Sequence, residues 1–153
     1  MLQVAPGHLP TLDAQAYLLA SAGVLAGHYA VRQQTVEADP FHAGYNFRSI
    51  YSHWMNGDLA AADLAGERGM ELWPQHLATM LARAGLLLCT GRPQHALALL
   101  DDAEPRGTVP LAMVHALRST GPALASGTAA DLATARQTLL DSETRGGPLL
   151  TVT

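Results

Sequence analysis

The 153-residue chain is 48% hydrophobic and only 14% charged, which excludes a disordered tail or a solvated spacer and leaves material for a real core. Its net charge is −4, and its basic residues are all arginine, scattered from Arg32 to Arg145; with no basic patch or stripe, direct nucleic-acid binding is not expected. A single cysteine, Cys89, rules out an internal disulfide and suits a reducing compartment.

The N-terminal "MLQVAPGHLPTLDAQ" has no basic region ahead of an apolar run, so it does not read as a secretory signal. Apolar stretches such as "LLASAGVLAG" (Leu18–Gly27) fall far short of a membrane span. A cytoplasmic chain that neither crosses nor binds a membrane is expected. Helix-forming sequence begins almost at once and the chain stops on "GGPLLTVT", which suggests a piece of a longer protein.

In chain order, helices are expected near 11–22, 25–37, 41–55, 59–72, 76–90 and 93–103, with turn glycines and prolines between them. "TVPLAMVHALRST" starts a seventh, with Thr108 as cap and Pro110 near its first turn, and Gly121-Pro122 is expected to break or kink it. "TAADLATARQTLLDSE" starts an eighth, where Thr128 followed by Asp131 has the form of a capping box with Asp in place of Glu. Alanine and leucine dominate while aromatics are 5%, so the class is all-α, with about eight helices in four antiparallel pairs.

The helices recur. Gly23, Gly57 and Gly91 are spaced by 34 residues, as are Pro40 and Pro74, Ala62 and Ala96, Leu25 and Leu59, and Val36 and Met70. Each glycine follows an apolar helical run, where a left-handed residue ends a helix without a Cβ clash. The alanine five residues later allows close helix approach. The proline ends the second helix and can then occupy the first turn of the next.

These residues make the chain resemble the tetratricopeptide repeat family, in "NGDLAAA" (Asn56–Ala62), "TGRPQHA" (Thr90–Ala96) and the closures "VEADP" (Val36–Pro40) and "MELWP" (Met70–Pro74). The resemblance implies an α-solenoid with a right-handed superhelical path, in one domain with units near 8–40, 41–74, 75–107 and 108–144. Gly127 lies 36 residues past Gly91, so the last unit is irregular. Departures are His28 where a small residue is expected, and Gly66 and Gly69 where the family carries a bulky residue and an alanine. Shorter strings ("DP", "LWP", "TGRPQHALALLDD") are similar to repeat regions that follow DNA-binding domains in bacterial transcriptional regulators.

No catalytic constellation emerges. The histidines (8, 28, 42, 53, 76, 95 and 115) include no pair at helical metal-ligand spacing, so they are read as ordinary helix and turn residues, and no metal or cofactor is expected. Cys89, late on the most apolar helix, is read as a small buried hydrophobe. Asp101 and Asp102 are adjacent on a helix and point about 100° apart, so they form no acid–base pair.

What stands out is "GYNFRSIYSHWMNGD" (Gly44–Asp58), whose aromatics are interleaved with an arginine. In the family it resembles, the first helix of each pair lines the concave face where extended peptides or partner helices bind. Tyr45, Arg48, Tyr51, Ser52, Trp54 and Met55 are therefore the candidate partner-binding residues, since Trp, Tyr and Arg dominate binding hot spots. The competing reading takes Phe47, Ile50, Tyr51 and Trp54 as the helix's buried stripe, with Arg48, Ser52 and Met55 beside it as a rim. The expected function is a non-catalytic module that binds a protein, a peptide or its own copy. The alternative is the regulatory or effector-sensing part of a bacterial transcriptional regulator whose DNA-binding part is absent from this chain.

Overall fold

A computed structural model describes residues 7–103, 105 and 111–146. It is all-α, built from α1 (Leu9–Ser21), α2 (Leu25–Ala38), α3 (Ala43–Met55), α4 (Leu59–Leu72), α5 (Leu77–Cys89), α6 (Pro93–Ala103), α7 (Leu111–Ser126) and α8 (Ala129–Gly146). Helices adjacent in sequence pack together, as in a helical repeat. The chain divides into two compact units, Met1–Leu86 and Leu87–Thr153, with the division inside α5.

The turn between paired helices is the same object three times. Gly23, Gly57 and Gly91 have φ of 75°, 84° and 74°, the left-handed region where only glycine is unstrained. The glycine N–H reaches back to Ala20, Trp54 or Leu88, and the next residue's N–H reaches Leu19, His53 or Leu87, satisfying carbonyls the helix leaves open. Gly127 (φ 62°) differs, bonding through its own N–H to the Ala123 carbonyl. Thr128 then caps α8: its hydroxyl accepts the Asp131 N–H and donates to the Asp131 carboxylate at 2.8 Å. Hydrogen bonds from Ser126 and Thr128 hold the Asp131 carboxyl below its ordinary pKa.

The two prolines close their units differently from expectation. Asp39 and Trp73, each before a proline, are driven to φ of −142° and −133°, which ends α2 and α4. Pro40 and Pro74 do not enter the next helix, because α3 and α5 begin three residues later, at Ala43 and Leu77. Ahead of those helices stand His42 and His76, each accepting a backbone N–H on Nδ1 at 3.3 Å, from Tyr45 and from Thr79. Gly121-Pro122 does not break α7, which runs continuously through Pro122. Gly121 is buried where a Cβ would lie 3.4 Å from Leu88 and 3.6 Å from Leu97, so packing holds the segment helical. Thr108 and Pro110 lie outside the described residues.

In the first unit the first helix pair has a polar interior. His28 stands in the register of Ala62 and Ala96, and all three are buried. Its Nδ1 lies 2.8 Å from the Ala16 carbonyl, an acceptor, so this nitrogen carries the proton; the small Ala16 side chain leaves room for the ring. One turn on, the buried Arg32 pairs with Asp13 of α1, which also receives Arg48 of α3 at 3.7 Å. The second pair solves the same packing with small residues. Ile50, Ala62, Ala82 and Leu86 form the core, with Phe47, Tyr51, Trp54 and Ala65 against it. A Cβ at Gly66 would stand 2.7 Å from Arg83 Cδ, so this glycine gives Arg83 of α5 its path to Asp63 and Glu67 of α4.

In the second unit Leu87 and Leu88, the last turn of α5, pack on Ala96 of α6 and Leu117 of α7. Arg118 of α7 pairs with Asp101 of α6 at 2.5 Å.

Gly69 is a second place where α4 and α5 approach closely, since a Cβ there would meet Thr79 Cγ2 at 2.8 Å. In open helix Gly→Ala would stabilise by about 1 kcal/mol, whereas overpacking costs about 1–3 kcal/mol. Gly69→Ala is therefore expected to lower the urea midpoint, and adding Thr79→Ser, which removes the clashing methyl, to restore it. A stabilising Gly69→Ala on its own would show that the helices are not in this contact.

Candidate functional site

The six residues of α3 and its end proposed as a partner surface do not form one patch. Tyr45 and Ser52 are buried, 8% and 0% exposed, on the side of α3 from which Arg48 reaches α1. Tyr45 stacks on His42 with ring centroids 4.1 Å apart. Tyr51 and Trp54 are half-buried on another face, against the α4 and α5 core residues Ala62, Ala82 and Leu86. Ser52 therefore rims nothing. Arg48 is committed inside the first unit, bonding the Gly44 carbonyl at 3.1 Å, pairing with Asp13 and lying 4.8 Å from the Phe47 ring centre. Met55 is exposed, at the helix end.

Behind α3, His53 meets Tyr29 of α2 edge to face with centroids 5.4 Å apart, and its buried Nδ1 has no hydrogen-bond partner. Desolvation lowers its pKa from the ordinary value, with Asp58 pulling the other way.

The histidines have a pattern that the search for metal spacing passed over. His8, His42 and His76 are 34 residues apart and each precedes a first helix of a pair. His42 and His76 accept backbone N–H groups there, and His8 Nδ1 lies 2.9 Å from Thr11 Oγ1. The spacing itself was the available signal, and at His42 and His76 its meaning is capping, while His8 bonds only the Thr11 hydroxyl. Among the described residues no three His, Cys, Asp or Glu side chains stand together to hold a metal. No described helix is long and apolar enough to cross a membrane. Cys89 is exposed, contrary to expectation, because it ends α5 immediately before the turn, beyond the packed Leu86–Leu88 segment.

A concavity lies elsewhere, in the second unit between α7 and α8. It has a volume of about 350 Å³ and is lined by Thr120, Leu124, Leu132, Ala135, Arg136 and Leu139, among others. Leu124, Leu132, Leu139 and Leu140 are 37–49% exposed, a concentration of open leucine unlike a solvated helix face. Sequence reasoning missed it because α8 reads as an ordinary amphipathic helix until its packing is known. Arg136 supplies the groove's charged side chain. With an apolar floor and no acid, base or nucleophile among its lining residues, the groove suits recognition of an apolar helix or side chain.

Comparison with family models, curated proteins and solved structures found no match to this chain.

Two measurements probe α3. Trp54→Ala is expected to destabilise by about 2 kcal/mol, since the ring is half-buried against the core and full burial would cost about 3–5 kcal/mol; an unchanged urea midpoint would return Trp54 to the surface. His53 should make stability pH-dependent. Its folded pKa is below that of the unfolded chain, so its contribution is intact above about pH 6.5 and falls as the unfolded state protonates first. The loss levels off below the folded pKa. His53→Gln should therefore lose less stability than wild type between neutral and acidic pH, and an equal loss would rule His53 out as a source.

Proposed function

We propose that this chain is a non-catalytic helical-repeat module that binds a protein or peptide. The observation that carries the proposal is the leucine-lined groove between α7 and α8, whose side chains occupy positions that the repeat buries elsewhere. Units of this kind cannot bury both faces alone, so an uncovered face is a ready docking surface. Its apolar lining and single arginine match the helix-in-groove mode, in which an amphipathic segment supplies spaced apolar anchors and a polar rim fixes register. Arg48 and Met55 remain accessible in part on α3, but Arg48 is already paired and Trp54 holds the core. The groove is thus the better-supported surface.

The test is capture by the 153-residue chain as bait, compared with Leu124→Glu, a change at an exposed position whose fold is checked by circular dichroism. A bound protein retained by wild type and lost by Leu124→Glu supports the groove. Equal retention by both would move the binding surface elsewhere.

A further inference from the structure

We infer that the α7–α8 groove is an empty seat for a first helix of a repeat pair, and that its occupant is α1 of a second copy of this chain. The inference deepens the reading of the groove as a helix-binding surface, and it rests on residue register.

In the second helix pair the seat is filled. Taking the turn glycine as origin, Ile50, Trp54, Ala62, Ala65, Gly66 and Gly69 are the positions that receive α5. Counted from Gly127, the same positions are Thr120, Leu124, Leu132, Ala135, Arg136 and Leu139, which line the open groove. Counted from Gly23, the seat of the first pair includes Ala16, His28, Val31 and Arg32, all buried, and α3 packs on it. From Gly91 the seat includes Leu88, Ala96, Leu100 and Ala103, again buried, and Leu117 and Gly121 of α7 lie against its members. Among the described residues three seats are covered and the fourth is open.

The matching face is also present. The residues α5 turns into its seat are Thr79, Ala82, Arg83 and Leu86, of which Thr79, Ala82 and Leu86 are fully buried. One period earlier on α3 these are Tyr45, Arg48, Ser49 and Ser52, and two periods earlier on α1 they are Thr11, Ala14, Gln15 and Leu18. All four on α1 are exposed, and Leu18 is 68% exposed at a position that is 0% exposed in both α3 and α5. Among the described residues α1 is therefore a first helix with its seat-facing side uncovered.

The chemistry of the two faces agrees. Leu18 takes the place of Leu86, against Leu132 where Leu86 meets Ala62. At the position where glycine makes way for a long arginine (Gly66 and Arg83), the joint offers Arg136 and the shorter Gln15, exchanging which side supplies the bulk. The Gln15 side-chain carbonyl can accept from the Arg136 guanidinium. Such a joint is heterologous, because the surface used on one copy differs from that used on the other. In an open chain each added copy leaves one seat and one α1 free, so association continues past the dimer.

The experiment is sedimentation velocity on the 153-residue chain from micromolar to millimolar concentration, with Leu18→Glu and Leu139→Glu as variants. Both residues are exposed, and circular dichroism verifies that each variant is folded. Wild type is expected to rise with concentration beyond twice the 16.1 kDa monomer mass. Each variant alone should stay monomeric, Leu18→Glu having lost its inserting face and Leu139→Glu its seat. An equal mixture should form a two-chain particle and nothing larger, since one intact seat meets one intact α1. A monomeric wild type, continued association of either variant, or a mixture that stays monomeric would each overturn the proposal. A monomeric wild type whose captured protein is still lost on Leu124→Glu would overturn only the second copy as occupant, leaving the groove as a binding surface.

Discussion

A helix hairpin made of two amphipathic helices has more apolar surface than the hairpin can bury, and everything else in this chain follows from how that surplus is covered. Each pair closes one face internally and leaves a seat between its two helices. The next first helix fills that seat, as α3 does for α1 and α2, and so no pair stands alone. The core is accordingly a succession of small clusters, such as that around Ile50, Ala62, Ala82 and Leu86. An apolar groove at α7 and α8 is the same rule observed where no described helix supplies the cover.

Within that rule the seats tolerate different chemistry because volume is exchanged between facing positions. The first pair places His28 and Arg32 where the second places Ala62 and Gly66. His28 is accommodated by Ala16, where the second pair has Ile50. Arg32 is buried only because Asp13 neutralises it, since an unpaired buried charge would cost several kcal/mol by principle, roughly 3–5 when a partner is removed. In the second pair the long side chain comes from the other side, and Arg83 lies across Gly66 to reach Asp63 and Glu67. Gly66 and Gly69 are thus sites of close approach.

The functional consequence is a change of location. Aromatic residues in "NFRSIYSHW" attract attention as a recognition surface, yet α3 is engaged on several sides. It touches α1 through Arg48, α2 through His53 and the α4–α5 core through Phe47, Tyr51 and Trp54. The exposed leucines that share one groove are instead on α7 and α8. Aromatic content marked the structural keystone of the first unit, and burial marked the candidate site.

The helices and the pairing of their turns were legible from sequence because the determinants are local. Gly23, Gly57 and Gly91 have a positive φ that only glycine takes without strain, and Asp39 and Trp73 are driven out of the helix by the prolines that follow them. The period of 34 residues then announces that the same local object recurs. Less was legible where two elements compete for one residue. Pro122 sits within a helix because packing around Gly121 holds α7 together, and Cys89 is exposed because α5 ends one residue too soon to cover it. Whether a given face is core or surface depends on what lies across from it, and that is a property of neighbours and not of the segment. Sequence by itself determined the repeating helix hairpin, because backbone conformation at glycine and proline is intrinsic; only the tertiary structure decided which seats are filled and which is open, because burial exists only between surfaces.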